Sequence, residues 1–216
     1  MSSATITTSA RLMNFTPQTE EQAMVRKVAV SSFLGNFIEW FDYASYSYFA
    51  TTIALVFFPT DNHTVAMLQT FGVFALSFIL RPIGALFWGS YGDKKGRKAA
   101  LAHSIMFMSG ASFLIGCLPS YSVIGVGAPI LLLLLRMVQG FSASGEYAGA
   151  ATFLGEYAPT SKRGIYCSLI PASTAIGLLA GSTLATLMTA NMNSSAMVGW
   201  GWRVPFLLAG PLGLIV

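Results

Sequence analysis

The chain alternates between long apolar stretches and short polar breaks. The six apolar stretches are residues 28–58, 64–88, 99–118, 128–153, 165–189 and 202–216. Each of the first five has about 20 residues or more, which is enough for an α-helix to cross the hydrocarbon core of a bilayer. The pattern therefore predicts an all-α membrane protein with six helical spans. Spans one to three and spans four to six start on opposite sides of the membrane, as the inverted repeats of transporters do.

The sixth stretch is shorter than the others. From Trp202 to Val216 a helix rises about 21 Å, less than the roughly 30 Å of the hydrocarbon core. No cap glycine or basic flank follows Gly213. We therefore expect a fragment of a longer membrane protein that stops within its sixth helix.

Basic residues mark one side of the predicted membrane. Lysines and arginines lie before the first stretch and in the second and fourth breaks, whereas the first, third and fifth breaks contain none. The positive-inside rule places the N-terminus in the cytoplasm. We expect a multi-pass protein of the inner (cell) membrane. Residues 1–27 lack the apolar run of a signal peptide. They are expected to form a disordered cytoplasmic tail, and residues 28–216 are expected to form the transmembrane bundle.

Composition excludes several other classes of protein. Hydrophobic residues make up 54% of the chain and charged residues only 9%, against roughly 25% charged residues in a soluble domain. The net charge of +4 comes from dispersed bases, so no nucleic-acid partner is expected. His63 and His103 show no metal-ligand spacing, and no nucleophile lies beside a base. We expect no enzyme, no metal and no cofactor.

Five charged residues lie inside the first five predicted spans: Glu39, Asp42, Arg81, Arg136 and Glu146. An unpaired charge there costs at least about 2.5–3.5 kcal/mol, so each should face the bundle interior and find a partner. Counting 1.5 Å per residue from the cytoplasmic face places Asp42 at about 21 Å, Arg136 at about 27 Å and the other three at about 12–16 Å. This predicts an upper pair, Asp42 with Arg136, and a lower cluster of Glu146, Arg81 and Glu39.

The charges do not balance. Three acids and two arginines leave one carboxylate without a cationic partner, and because arginine stays charged that carboxylate is expected to be neutral near pH 7. A buried acid beside an ion pair that can open is what proton coupling needs. The alternative is that all five charges only fix the packing of the helices.

A charged segment between the second and third stretches, residues 89–98, has the sequence GSYGDKKGRK. Gly89 and Gly96 are expected to provide its tight turns, and Asp93 is its only acid. Its bases are Lys94, Lys95, Arg97 and Lys98. The spacing resembles the signature loop between helices 2 and 3 of the major facilitator superfamily. The resemblance implies a cytoplasmic gating loop, centred on Asp93, that latches the two halves of the transporter together. It also implies that this chain is the N-terminal half of a longer transporter, truncated in helix 6, whose C-terminal six-helix half is missing.

Two further segments narrow the resemblance. Residues 35–43, GNFIEWFDY, and residues 136–147, RMVQGFSASGEY, resemble segments of the metabolite:proton symporter family, with Ser144 in place of a glycine. The resemblance implies proton-coupled symport by alternating access, in which an acid on helix 1 and the arginine on helix 4 belong to the coupling network. These correspond to Asp42 and Arg136. The Gly-Pro step typical of antiporters is missing near Gly177 and Gly181, which favours symport.

The substrate remains open between two classes of small organic solute. The resembled family includes porters of zwitterionic osmolytes, such as proline and betaine, and porters of carboxylates, such as citrate, shikimate and 2-oxoglutarate. Trp40, Tyr43 and Tyr46 offer aromatic faces to a quaternary ammonium group, or else only pack. Gln139 is a further candidate contact. The expected partners are thus a solute, the proton and the lipid bilayer; the alternative is a non-transporting membrane module that acts only by interaction or assembly.

Overall fold

The computed structural model describes residues 17–214, with side chains from Ala23 onward except those of Glu146, Ala148 and Leu214. Within these residues the chain is helical and forms no strand. The helices are α1 (Pro17–Tyr48), α2 (Ala50–Phe57), α3 (His63–Ile79), α4 (Arg81–Lys95), α5 (Arg97–Cys117), α6 (Tyr121–Ile124), α7 (Gly127–Ala143), α8 (Glu146–Tyr157), α9 (Arg163–Asn191), α10 (Ser194–Gly199) and α11 (Val204–Leu214), with a 3₁₀ turn at Gly201–Arg203.

These helices make up the six predicted spans. Spans one, two and four each consist of two helices in line, α1 with α2, α3 with α4, and α7 with α8, while α5, α9 and α11 form spans three, five and six. The break between α3 and α4 precedes Pro82, whose ring has no N–H to donate to the preceding turn. By length and composition, residues 63–95, Arg97–Cys117 and Arg163–Asn191 qualify as membrane-crossing helices.

The first helix begins earlier than the sequence analysis placed it. Helix α1 starts at Pro17, so residues 17–27 are helical rather than part of a disordered tail, and residues 1–16 lie outside the described residues. Proline is favoured in the first turn of a helix. Residues 17–27 are mostly polar, so the hydrophobic pattern does not indicate this extension.

Spans one and five pack along much of their length. A Cβ added at Gly177 of α9 would lie 2.7 Å from the carbonyl oxygen of Phe37, and one at Gly181 would lie 2.7 Å from the Cβ of Ala44. Only glycine permits so close an approach between the backbones of α1 and α9. The sequence spacing of these two glycines therefore serves helix packing.

The buried residues form three layers along the bundle. The first layer lies at the end that carries Gly96 and Lys162, which we call the basic end, and includes Val28, Leu154 and Ile170. A small middle layer contains Ile38, Met108, Ala143 and Ala209. The third layer lies at the opposite end and is built around Phe57, Leu132 and Trp202. The buried charged residues lie between the first and third layers, beside the middle one.

The predicted loop at residues 89–98 is mostly helical. Helix α4 continues to Lys95 and α5 starts at Arg97, so Gly96 is the single residue between them, with φ 93°. The expectation of a turn at Gly96 is confirmed, and that at Gly89 is wrong because Gly89 lies inside α4. Asp93, Lys94, Lys95 and the bases that follow are therefore held on two helix ends rather than on a flexible loop.

Candidate functional site

Asp42 and Arg136 form an ion pair in the interior of the bundle. The Nη1 of Arg136, on α7, donates to the Oδ2 of Asp42, on α1, at 2.5 Å, and both residues are at most 3% exposed. The Oδ1 of Asp42 accepts from the hydroxyl of Ser112 at 3.1 Å and from the side-chain amide of Gln139 at 3.2 Å. The predicted contact between Asp42 and Arg136 is confirmed. The carboxylate of Asp42 thus connects span one to spans three and four.

Aromatic rings enclose the guanidinium of Arg136. Its Cζ lies 3.9 Å from the ring centre of Tyr46, 5.5 Å from that of Phe206 and 6.0 Å from that of Phe74. The hydroxyl of Tyr46 donates to the carbonyl oxygen of Thr70 at 2.8 Å, which fixes the ring in place. The Nε and Nη2 of Arg136 have no hydrogen-bond partner among the described side chains. The rings therefore provide much of the stabilisation that this buried cation receives.

A second ion pair lies one helical turn along α1. The Nη2 of Arg81, the first residue of α4, donates to the Oε1 of Glu39 and to the hydroxyl oxygen of Tyr43. The Cζ of Arg81 lies 4.6 Å from the ring centre of Phe78 and 5.4 Å from that of Tyr43. The side chain of Arg81 is 30% exposed, whereas that of Glu39 is 4% exposed. The second pair is thus closer to the bundle surface than the first.

The predicted lower cluster is described only in part. Glu146 is the first residue of α8, and its side chain lies outside the described residues. The contact of Glu39 with Arg81 is confirmed. Glu39 and Asp42 each pair with an arginine. Because the third acid is Glu146, whose side chain is not described, the expectation that one acid lacks a cationic partner stays a prediction.

The candidate substrate contacts lie in or beside these pairs. Tyr43 and Tyr46 already stack on the two arginines, and Gln139 donates to Asp42 and to Ser112. Trp40 is partly exposed, and its indole N–H donates to the side-chain oxygen of Asn36 at 3.2 Å. Among the three aromatic candidates, Trp40 is therefore the one whose ring neither Arg81 nor Arg136 covers.

Three contributors to the site were not singled out by the sequence analysis: Ser112, Phe206 and Asn36, of which Asn36 lies in the quoted segment 35–43 without a role assigned to it. Asn36 donates from α1 to the hydroxyls of Ser173 and Thr174 on α9, each at 2.8 Å, and it anchors Trp40 through its oxygen. A lone serine or phenylalanine within an apolar stretch looks like any other span residue. Only the crossing of the helices brings Ser112 and Phe206 against Asp42 and Arg136.

At the basic end, Asp93, Arg97 and Lys98 line a cavity of about 330 Å³. The cavity lies between α4, α5 and α8, and its floor includes Trp88 and Gly145. The structure thus brings three of the predicted gating residues together, while Gly89 contributes from the middle of α4. Their role as a latch stays a prediction.

Comparisons with known proteins give a uniform result. Residues 27–216 match the family described as Sugar (and other) transporter. The chain is 43% identical over 195 residues to the glycine betaine/proline/ectoine/pipecolic acid transporter OusA of Dickeya dadantii and 42% identical to the proline/betaine transporter of Escherichia coli K12; each match covers 90% of this chain and 39% of the relative. A putative proline/betaine transporter of Staphylococcus aureus is 43% identical, with 88% of this chain and 41% of the relative covered.

Solved structures show the same fold. The proton:xylose symporter XylE bound to 6-bromo-6-deoxy-D-glucose superposes with a TM-score of 0.76 at 18% identity, over 90% of this chain and 44% of that one. An inward-open XylE from E. coli gives a TM-score of 0.69 over 88% of this chain and 46% of that one. The predicted half of a major facilitator bundle is confirmed as the fold. The chain spans about two fifths of the length of the curated relatives it matches.

Proposed function

The chain belongs to the family described as Sugar (and other) transporter, and from that premise we propose that it takes part in the proton-coupled symport of a small zwitterionic solute, such as proline or glycine betaine. The family and its relatives are transporters rather than enzymes. The solute and the coupling to protons are properties of a whole transporter. This chain contributes the bundle that carries Asp42 and Arg136.

The buried pair of Asp42 and Arg136 is the observation that carries the proposal of coupling. Arginine stays protonated at any physiological pH, so the carboxylate is the member of the pair that can take up a proton. Protonation neutralises Asp42 and releases the Nη1 of Arg136. A charged guanidinium without an anion is costly in a low-dielectric interior, so the bundle then favours a new anionic partner. The carboxylate of an amino acid or betaine supplies that partner, and this links the uptake of a proton to the binding of solute.

The relatives and the aromatic residues support the zwitterionic class. The names of two relatives, OusA and the proline/betaine transporter of E. coli, include such solutes. An aromatic face attracts a quaternary ammonium group, and Trp40 on α1 has its indole fixed by Asn36. In this proposal Trp40 receives the cationic end of the solute. A pure carboxylate would use Arg136 alone.

We further propose that the basic end faces the cytoplasm and that the protein lies in the inner membrane. Lys94, Lys95, Lys162 and Arg163 all lie at that end, whereas α6 and α10 at the opposite end contain no lysine or arginine. This distribution follows the positive-inside rule. With this orientation the Gly96 junction and the cavity beside Asp93 lie at the cytoplasmic surface.

Uptake by proteoliposomes tests the proposal. The protein encoded by the complete reading frame around these 216 residues is reconstituted in liposomes. Accumulation of proline, glycine betaine, citrate and 2-oxoglutarate is then measured with and without an imposed proton gradient. We expect gradient-driven accumulation of proline or betaine that a protonophore abolishes. Accumulation that ignores the gradient would refute proton coupling, and accumulation of the carboxylates alone would refute the zwitterionic class.

The variant Asp42→Asn locates the coupling. We expect it to lose gradient-driven accumulation while retaining exchange of labelled for unlabelled solute, because exchange requires no net proton movement. The matched control is Ser45→Ala, which removes a buried hydroxyl from the same helix; that hydroxyl bonds only to the carbonyl oxygen of Phe41. Concentrative, proton-dependent uptake by Asp42→Asn would show that Asp42 is not the coupling acid.

A further inference from the structure

The two carboxylate oxygens of Asp42 have different neighbours. The Oδ2 accepts from the Nη1 of Arg136 at 2.5 Å, whereas the Oδ1 accepts from the hydroxyl of Ser112 at 3.1 Å and from the Nε2 of Gln139 at 3.2 Å. Arg136 and Gln139 lie one turn apart on α7, so one helix holds both oxygens through different side chains. The Oδ1 is thus bonded to two neutral donors and the Oδ2 to the cation.

The hydrogen atoms around Oδ1 have defined directions. The Nε2 of Gln139 donates to the hydroxyl oxygen of Ser112 as well as to Asp42. An amide nitrogen carries two hydrogens and accepts no hydrogen bond, so one of its hydrogens points at Ser112 and the other at Oδ1. The single hydroxyl hydrogen of Ser112 then points at Oδ1. Protonation at Oδ1 would weaken both of these bonds, because two hydrogens already point at that oxygen.

The orientation of the Gln139 amide supports this arrangement. Its Oε1 is buried and has no hydrogen-bond partner among the described residues. Rotating the amide by half a turn would let Oε1 accept from the Ser112 hydroxyl, but it would also place Oε1 against the carboxylate of Asp42, and two acceptors repel each other. The amide therefore keeps both N–H groups on Ser112 and Asp42, although a buried acceptor without a partner is unfavourable.

We propose that Ser112 and Gln139 are positioning residues that direct the coupling proton to the Oδ2 of Asp42. A new O–H bond at Oδ2 removes the negative charge and displaces the hydrogen bond from Arg136, so one event neutralises the carboxylate and opens the ion pair. The Oδ1 becomes the carbonyl oxygen and keeps both of its donors. Arginine stays charged, and its Nη1 becomes free for another anion. This inference rests on the proposed proton-coupled symport and identifies the oxygen at which the proton acts.

Besides Arg136, two titratable groups lie near this carboxylate among the described side chains. Glu39 lies one turn before Asp42 on α1 and is bonded to Arg81, and Tyr46 lies one turn after it and donates to the backbone of α3. Neither group is bonded to Asp42 in the described structure. A spectroscopic signal of Asp42 is therefore identified by its loss in Asp42→Asn and not by its pH dependence alone.

Infrared spectroscopy of the protein encoded by the complete reading frame tests the proposal without transport. The carbonyl stretch of protonated Asp42 is the band that appears as the pH is lowered and that Asp42→Asn lacks. With the proton on Oδ2, the carbonyl oxygen is Oδ1, which accepts from both positioning residues. Ser112→Ala and Gln139→Met should therefore each shift the band to higher wavenumber, because a carbonyl group with fewer hydrogen bonds has a stiffer C=O bond. With the proton on Oδ1 the carbonyl would face Arg136, so a band that stays in place in both variants would overturn the proposal.

Ser109→Ala is the matched control for the infrared measurement. It removes a buried hydroxyl from the same helix, and that hydroxyl bonds only to the carbonyl oxygens of Ile105 and Met106. The Asp42 band should not move in this variant, and a shift as large as that in Ser112→Ala would assign the effect to packing and refute the proposal. A parent protein without any band that Asp42→Asn lacks would show that Asp42 takes up no proton, which would refute the proposed coupling as well.

The double variant Ser112→Ala with Gln139→Met connects this readout to transport. Without the two donors, the proton is expected to add at Oδ1 and to leave the bond between Oδ2 and Arg136 in place. The ratio of gradient-driven accumulation to exchange of labelled solute should then fall on the order of tenfold, the factor by which one lost hydrogen bond changes an equilibrium. Ser109→Ala should keep the parent ratio, and an unchanged ratio in the double variant would contradict the proposed role. Accumulation by the parent that ignores the gradient would refute the proposed symport instead.

Discussion

The guanidinium of Arg136 lies on the face of Tyr46, with 3.9 Å between its central carbon and the ring centre. Both side chains are fully buried, and the tyrosine hydroxyl is bonded to the backbone of α3. A desolvated contact of a cation with an aromatic ring contributes about 2 kcal/mol. Arg136 therefore has a stabilising contact that does not depend on the charge of Asp42.

Two substitutions at Tyr46 separate the ring from the hydroxyl. Tyr46→Phe loses only the hydrogen bond to Thr70 and should lower the free energy of unfolding by about 1 kcal/mol. Tyr46→Leu also loses the aromatic face and should lower it by about 2 kcal/mol more. Denaturant unfolding of the purified protein in detergent measures both. Equal losses in the two variants would show that the ring contact does not stabilise Arg136.

Replacing glycine by alanine should have opposite effects at Gly177, where α9 lies close to α1, and at Gly149 of α8. A Cβ at Gly177 would lie 2.7 Å from a backbone carbonyl oxygen, whereas one at Gly149 of α8 meets no described atom within 4 Å. Gly177→Ala should therefore destabilise the bundle by about 1–3 kcal/mol. Gly149→Ala should stabilise it by up to about 1 kcal/mol, because alanine is favoured within a helix. The thermal midpoint in detergent checks both signs, and a common sign would contradict the packing described for α9.

The spans and the partner of Asp42 were predictable because strong physical constraints act on them. Membrane thickness fixes the length of an apolar stretch, and the cost of a lone charge requires Asp42 and Arg136 to meet. The turn at Gly96 between α4 and α5 was predictable from the backbone freedom of glycine. The continuation of α4 through Gly89 was not. Local composition at residues 89–95 is equally compatible with a loop.

The surroundings of the charges could not be predicted from the sequence. Ser112 and Phe206 were not singled out by the sequence, and Asn36 lies in the segment 35–43 without an assigned contact. The contacts of all three depend on how α5, α11 and α9 cross α1 and α7. Which of the aromatic rings contact an arginine could also not be predicted from the sequence. Tyr43 and Tyr46 were equal candidates with Trp40 for binding a solute, and the rotation of α1 and the positions of α4 and α7 decide which rings the arginines cover.

Cysteine labelling tests the orientation in the membrane. The two native cysteines, Cys117 and Cys167, are unpaired and are first replaced by serine and alanine. Ser161→Cys then marks the turn between α8 and α9 at the basic end, and Ser122→Cys marks α6 at the opposite end; both positions are exposed. An impermeant maleimide added to intact cells should label Ser122→Cys and spare Ser161→Cys, since the positive-inside rule places the basic end in the cytoplasm. The reverse pattern would invert the proposed orientation.

The ion pair of Asp42 and Arg136 predicts strong energetic coupling between the two residues. Asp42→Asn leaves a buried guanidinium without its anion, and Arg136→Gln leaves a buried carboxylate with only the neutral donors of Ser112 and Gln139. Breaking a buried pair from either side costs about 3–5 kcal/mol. The double variant leaves no uncompensated charge at this site.

We therefore expect Asp42→Asn with Arg136→Gln to be more stable than the sum of the single losses predicts, by about 2–3 kcal/mol. A double-mutant cycle of unfolding free energies measures this difference. The same double variant should show no gradient-driven uptake, because it has neither the acid that takes up the proton nor the cation that the proton releases. Additive losses would show that Asp42 and Arg136 do not act as a pair. A stable double variant that still accumulates solute against a gradient would assign proton coupling to another group in the bundle, with Glu39 as the next residue to test.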